Sequence, residues 1–268
     1  MGGAVVAYRV ELVKLAAQKR SWIGVAAAVA GPVIYLLLAI AQGYPRAPLA
    51  DNLGHTGVGF ALVVFKLVLV IGPAVIVALV AGDIVAAEDA DGTMKTLLTR
   101  SVTRAQVLWG KVLALYTYVV FAMVAFVAVA TLAAVIAWGF HPLVNLSGQR
   151  LSALHALALD VPAVAVYVLP VLAMASFGLF LSVVTRQSVA AVGGTVIYCM
   201  GLQGVAVIAA IKAAHPYLLT NQLTAWHGLF QTPADGGTIL RAAWVSLAFA
   251  VPPLLAAFAV FTRRDVTS

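Results

Sequence analysis

The sequence is poor in the groups that carry most protein chemistry. Its single cysteine, Cys199, lies inside an apolar run, so no disulfide can form within the chain and no thiolate cluster is available for a metal. Charged residues make up only 9% of the chain, and nine of them are acids, too few to solvate a globular surface. No G-x-x-x-x-G-K-[ST] loop exists: Gly110-Lys111 lacks the upstream glycine and the following Ser or Thr, so nothing here cradles ATP phosphates. H-E-x-x-H, paired Cys/His ligands and a G-x-S-x-G elbow are also missing. The five histidines, His55, His141, His155, His215 and His227, scatter over segments read as outer loops, where surface or headgroup contact is the ordinary role.

What is abundant is apolar sequence. Hydrophobic residues reach 63% and the mean hydropathy is +1.06. Runs of roughly twenty apolar residues recur, the length needed to cross a ~30 Å hydrocarbon layer as helix. They are apolar on every face, whereas barrel strands alternate, so the pattern predicts an all-α integral membrane protein. The net charge of +7 resides at the ends of these runs, which points to headgroups and orientation and not to nucleic acid.

In chain order, residues 4–20 read as an interfacial helix, with Val5, Tyr8, Leu12, Leu15 and Ala16 at helical spacing and Glu11, Lys14 and Gln18 on another flank. Six spans follow, at about 22–42, 60–81, 112–140, 162–184, 189–211 and 242–261, in one domain of 268 residues. The first span is read as a retained anchor, since it is long for a signal-peptide core. Gly72-Pro73 should kink the second span, because proline removes a backbone donor. Lys66, the one charge within a run, either lines a substrate path or marks the outer end of its span. Residues 141–161 read as a loop with one amphipathic stretch, and the pieces around His215 and Ala225 to Phe230 read as interfacial. Gly193-Gly194 offers close packing or bending in the fifth span.

Six spans put both termini on one side. The N-terminal arm, the loop after the second span, Arg186 and Arg263-Arg264 hold eleven of the sixteen Lys and Arg residues, which makes that side cytoplasmic. A cell-membrane protein with both termini inside is expected.

A polar island, Gly82 to Lys111, interrupts this pattern with four acids and four bases. Glu88-Asp-Ala-Asp91 superficially fits an Asp-rich Mg²⁺ and diphosphate loop of a lipid-modifying enzyme, yet such a site needs a second facing acidic cluster, and the other acids are dispersed. A helical account is better. Asp91-Gly92 is a break, Thr93 to Thr99 can form a short helix, and Thr103 can cap the helix that becomes the third span.

The run Ala87-Glu88-Asp-Ala-Asp-Gly92-Thr93-Met-Lys-Thr-Leu97-Leu98-Thr-Arg-Ser-Val-Thr-Arg104, followed by Trp-Gly-Lys111, resembles the cytoplasmic signature of type-2 ATP-binding-cassette transporter permeases. That signature runs acid, Gly-Thr, Leu-Leu, Arg and Gly-Lys into the next span; Ser101 departs from it where many members have proline. The resemblance implies a coupling helix between spans two and three that seats on a separate ATPase subunit, two per complex, with Glu88, Asp91, Gly92, Thr93, Leu97, Leu98, Arg104 and Lys111 as the coupling positions. It implies a non-catalytic permease that binds no cofactor itself, ATP and Mg²⁺ residing on the partner. It also implies a second permease copy or a sister permease, contact with membrane lipids, and export of an apolar or amphipathic drug, peptide or lipid. Lys66, Gly72, Pro73, Gly193 and Gly194 are then candidates for the substrate path or its hinges. A passive channel or scaffold without an ATPase is the alternative reading.

Overall fold

Thr103 opens the longest helix. Its hydroxyl accepts the amide of Gln106 while the Gln106 side chain accepts the amide of Thr103, a reciprocal box that satisfies two donors left open at a helix start. The helix then runs through Val, Ala and Leu to Trp138 without a charge after Lys111.

A computed structural model describes residues 2–42, 57–58, 60, 61, 64, 72–90, 103–145, 147–206 and 209–263. Its helices are α1 (Gly2–Ala17), α2 (Lys19–Gln42), α3 (Gly72–Ala81), α4 (Ala86–Ala90), α5 (Arg104–Trp138), α6 (Ala153–Thr185), α7 (Ser188–Ala206), α8 (Leu219–Gln222) and α9 (Gly236–Arg263). Two 3₁₀ segments, Ala209–Tyr217 and Ala225–Phe230, flank α8. A small antiparallel hairpin, β1 (Leu143–Val144) with β2 (Arg150–Leu151), pairs Leu143 with Leu151. The described chain is mostly helical. Five helices, α2, α5, α6, α7 and α9, are long and apolar enough to cross a bilayer.

The core centres on α6, which packs against α9, α7, α5, α3 and the second 3₁₀ segment. The apolar window of α6 is 61% buried, against 17% for α7, so α7 stands at the periphery. α1 and α2 cover one side of α5, and α3 wedges between α2, α6 and α7.

Several expected boundaries shift. The stretch expected to be a loop to residue 161 is hairpin followed by the first turns of α6, because Ser152 caps the helix through the amide of His155 and the helix continues unbroken past Pro162. The Ala225 to Phe230 piece is not interfacial: Trp226 is fully buried and Phe230 1% exposed, packed against α6 and α9. The fifth apolar run ends as α-helix at Ala206 and resumes as a 3₁₀ segment. The hairpin ties to the loop before α9, since Asn145 donates to the Thr232 hydroxyl at 2.9 Å and the Thr232 amide donates to Ser147 at 2.9 Å.

The α1 helix packs Tyr8, Leu12 and Leu15 inward as its spacing predicts, but its acid turns inward with them. Glu11 is 3% exposed, whereas Val6, Val10 and Val13 stand on the open face, Val13 at 70%. A soluble amphipathic helix would bury the valines. A helix lying against lipid headgroups exposes them and turns its acid inward to a protein partner.

Candidate functional site

The α1 helix crosses the first turns of α5 at Gly110. A Cβ there would stand 2.7 Å from the Cβ of Ala7 and 2.9 Å from its backbone carbon, so only glycine permits the approach. That approach lets the next residue, Lys111, reach across to α1. Its ammonium donates to Glu11 Oε2 at 3.1 Å and to the Ile84 carbonyl at 2.9 Å, and pairs with Glu88 Oε2 at 2.9 Å. Lys14 bridges the same two acids, donating to Glu88 Oε1 at 2.7 Å and to Glu11 Oε1 at 3.1 Å. Two carboxylates and two ammoniums from α1, α4 and α5 thus form one charge-balanced network.

Lys111 is fully buried. An ammonium taken from water loses several kcal/mol of solvation, and three oxygen acceptors at hydrogen-bonding distance are what make the position tenable. Burial of Glu88 on its own would raise its carboxyl pKa, but the charge of Lys111 and the hydrogen bonds from Lys14 and Lys111 outweigh it and hold the group below 4.5. Burial of Lys14 opposes its charge likewise, and the bond to Glu88 with the fields of Glu11 and Glu88 carries it above 10.5.

The rest of the turn between α3 and α4 is held as firmly. The Ser182 hydroxyl of α6 accepts the amides of Val85 at 3.1 Å and Ala86 at 2.9 Å. Asp83, 6% exposed, pairs with Arg20 at the start of α2. Asp89 lies 3.9 Å from Arg186, which ends α6 in a left-handed conformation at φ 56°. Segment 82–90 is therefore tied to α1, α2, α5 and α6 at once.

Of the residues singled out from the sequence, Glu88 and Lys111 are brought together, and each is committed to partners within the chain. Arg104 is the first residue of α5, half-buried behind the Thr103 cap. Asp91, Gly92, Thr93, Leu97, Leu98 and Lys66 lie outside the described residues. Gly72 and Pro73 open α3, and the expected kink involves residues 65–71, also outside them. Gly193 has open space where a Cβ would sit, and Gly194 faces the tip of Leu181. Tight packing of α7 falls instead at Gly82, where a Cβ would meet the Val192 backbone at 2.7 Å, and at Gly178 against Thr195.

Glu11, Lys14, Arg20 and Asp83 were not singled out as site residues. Glu11 and Lys14 carried one signal, an acid three residues before a base in an otherwise apolar arm. Asp160, read as an outer-loop acid, is 4% exposed within α6. Thr131 donates to its Oδ2 at 3.4 Å, and its Oδ1 has no hydrogen-bond partner. Among the described residues, no three His, Cys, Asp or Glu side chains converge as a metal site would require.

Apolar helices around a buried charge network define a multi-pass, membrane-embedded helical protein. Residues 32–267 match the model of a family described as "Protein of unknown function (DUF2705)", and the chain belongs to that family. Among curated proteins, none matches.

Proposed function

We propose that the chain is the membrane subunit of an ATP-driven exporter of the type-2 ATP-binding-cassette class. It moves an apolar or amphipathic drug, peptide or lipid out of the cytoplasm by alternating access, powered by separate ATPase subunits. The observation that carries this reading is the anchoring of the polar island. Its first part, 82–90, is bound to four helices by ion pairs and hydrogen bonds, and its last part is the capped start of α5. A segment held rigidly at both ends transmits a push from a partner to the spans, whereas a loose loop absorbs it.

A sixth span over the second apolar run is part of this reading. Phe60 packs edge-on against Trp138 at 5.3 Å, while Ile84 accepts from Lys111. Those contacts lie at opposite ends of α5, separated by roughly 40 Å at helical rise, which supports a crossing between them. The excess of Lys and Arg on the island's side orients that side and both termini to the cytoplasm. Gly193, Ile197, Met200, Gly201 and Gly204 form an exposed stripe on α7 that suits a second permease copy or a sister permease. On this reading Glu88 and Lys111 act by holding the coupling loop, and Leu97 and Leu98 meet the ATPase. ATP and Mg²⁺ reside on that partner.

Purification from native membranes in mild detergent tests the proposal. An ATPase with a phosphate-binding loop should co-purify, and charged substitutions at Leu97 and Leu98 should release it with the spans still inserted. Absence of any such ATPase, with no stimulation of an added one, would leave a passive channel or scaffold as the better reading.

A further inference from the structure

A cavity of about 260 Å³ opens where α1 turns into α2. Leu12 and Leu15 of α1, Trp22 and Val25 of α2, and Tyr118 and Phe121 of α5 line it. The walls are mostly apolar; the Thr117 and Tyr118 hydroxyls at the wall have partners within the chain, whereas Ser21, 4% exposed, has a hydroxyl with no hydrogen-bond partner. A buried hydroxyl without a partner is costly and rare, and it points to an acceptor supplied from outside the chain.

The cavity keeps its shape by a specific contact. Tyr118 donates to the Ser21 carbonyl at 3.0 Å, passing over Gly24, where a Cβ would come within 2.1 Å of the phenol oxygen. The Trp22 indole donates to the Ala16 carbonyl at 2.8 Å and closes the junction of α1 and α2. Trp22 is itself 57% exposed, in the amphipathic position typical of a membrane interface.

Charge decides the class of occupant. The lining residues Ser21, Trp22 and Val25 descend the first two turns of α2, whose N-terminus carries the positive end of the helix dipole. Lys19 is exposed there, one turn before Trp22 on the same face, while the neighbouring Arg20 is committed to Asp83. A cationic rim above an apolar cavity matches an anionic headgroup with an acyl chain below it.

We propose that this cavity binds one anionic glycerophospholipid, its phosphate at Lys19 and the α2 N-terminus, its acyl chain between α1, α2 and α5, and an ester or phosphate oxygen accepting from Ser21. The site ties the α1 helix to the bilayer leaflet that it lies on. It needs the membrane-embedded helices alone and no ATPase, so its failure and the failure of the transport reading are separate results.

Native mass spectrometry of the full chain, exchanged through vesicles of equimolar phosphatidylcholine and phosphatidylglycerol, tests it. One phosphatidylglycerol per chain should survive activation that strips phosphatidylcholine. Ala16→Trp, which fills the cavity from an exposed wall position, should abolish the retained lipid, with Val25→Phe as the second filling variant if the first does not fold. Lys19→Gln should keep a lipid bound but bring its composition to that of the vesicle. No retained lipid in the native chain, or undiminished retention in a folded filling variant, overturns the site. An unchanged preference in Lys19→Gln overturns the headgroup assignment.

Discussion

Lys111 Nζ and Glu88 Oε2 lie 2.9 Å apart, joining the start of the third apolar run to the short helix that follows the second. Both also contact α1, Lys111 through Glu11 and Glu88 through Lys14, so three separate segments depend on one network.

Lys111→Met should therefore be severe. It leaves Glu11 and Glu88 with Lys14 alone, and breaking a buried pair by removing one partner costs about 3–5 kcal/mol. Glu88→Gln in the same chain should recover part of the loss, because it removes the stranded charge. A double-mutant cycle on thermal midpoints in detergent measures the coupling, and additive losses would sink the network as described. Lys14→Ala, whose side chain is 35% exposed, should cost under ~1 kcal/mol and respond to salt, which the buried pair should not.

The same network sets a pH window. Glu88 titrates below 4.5 when folded, so its contribution is complete above that value and disappears as pH falls through the folded value. Lys14 titrates above 10.5, so its contribution is complete below that value and disappears as pH rises through the folded one. Thermal midpoints should be flat with respect to these two groups between the limits and fall outside them. Lys14→Gln should flatten the alkaline limb, and an unchanged limb would assign it to another group.

Five long apolar helices were legible in the sequence because each is a local property: about twenty apolar residues in succession. Thr103 was legible for the same reason, its cap and Gln106 lying three residues apart. The network was not. Glu11 and Lys111 are 100 residues apart, and no periodicity in either segment reports that α1 folds back over Gly110. Trp226 misled in the opposite sense, since an aromatic beside His227 in an outer loop reads as an interface anchor until α6 and α9 are seen to enclose it. Asp160 read as loop because a charge interrupts hydropathy, although the Ser152 cap had already started the helix.

The crossing of α1 over α5 is open to direct perturbation at Gly110. Gly110→Leu pushes a side chain into the backbone of Ala7, and such overpacking costs about 1–3 kcal/mol where the neighbour cannot yield. Here α1 can yield by lifting away. Trypsin should then cut the N-terminal arm at Arg9 and Lys14 at concentrations that leave the native chain whole, with the spans still intact. Equal protection in the variant would show that α1 is held by lipid and not by α5.

A last prediction concerns the open face of α7. Ile197 is 73% exposed and shares its face with Gly193, Gly201 and Gly204, a small-residue stripe that permits close backbone approach. Cys199 is 1% exposed and offers no competing thiol. Ile197→Cys in native membranes should yield a disulfide-linked pair of chains on mild oxidation, visible as a doubled mass on a non-reducing gel, if two copies meet across α7. The same substitution moved to the buried Thr195 should give none. Failure of Ile197→Cys to cross-link, with the thiol accessible to maleimide, would exclude a two-copy interface along this stripe. It would leave the face to a different membrane chain or to lipid, which cross-linking to a co-purified chain separates.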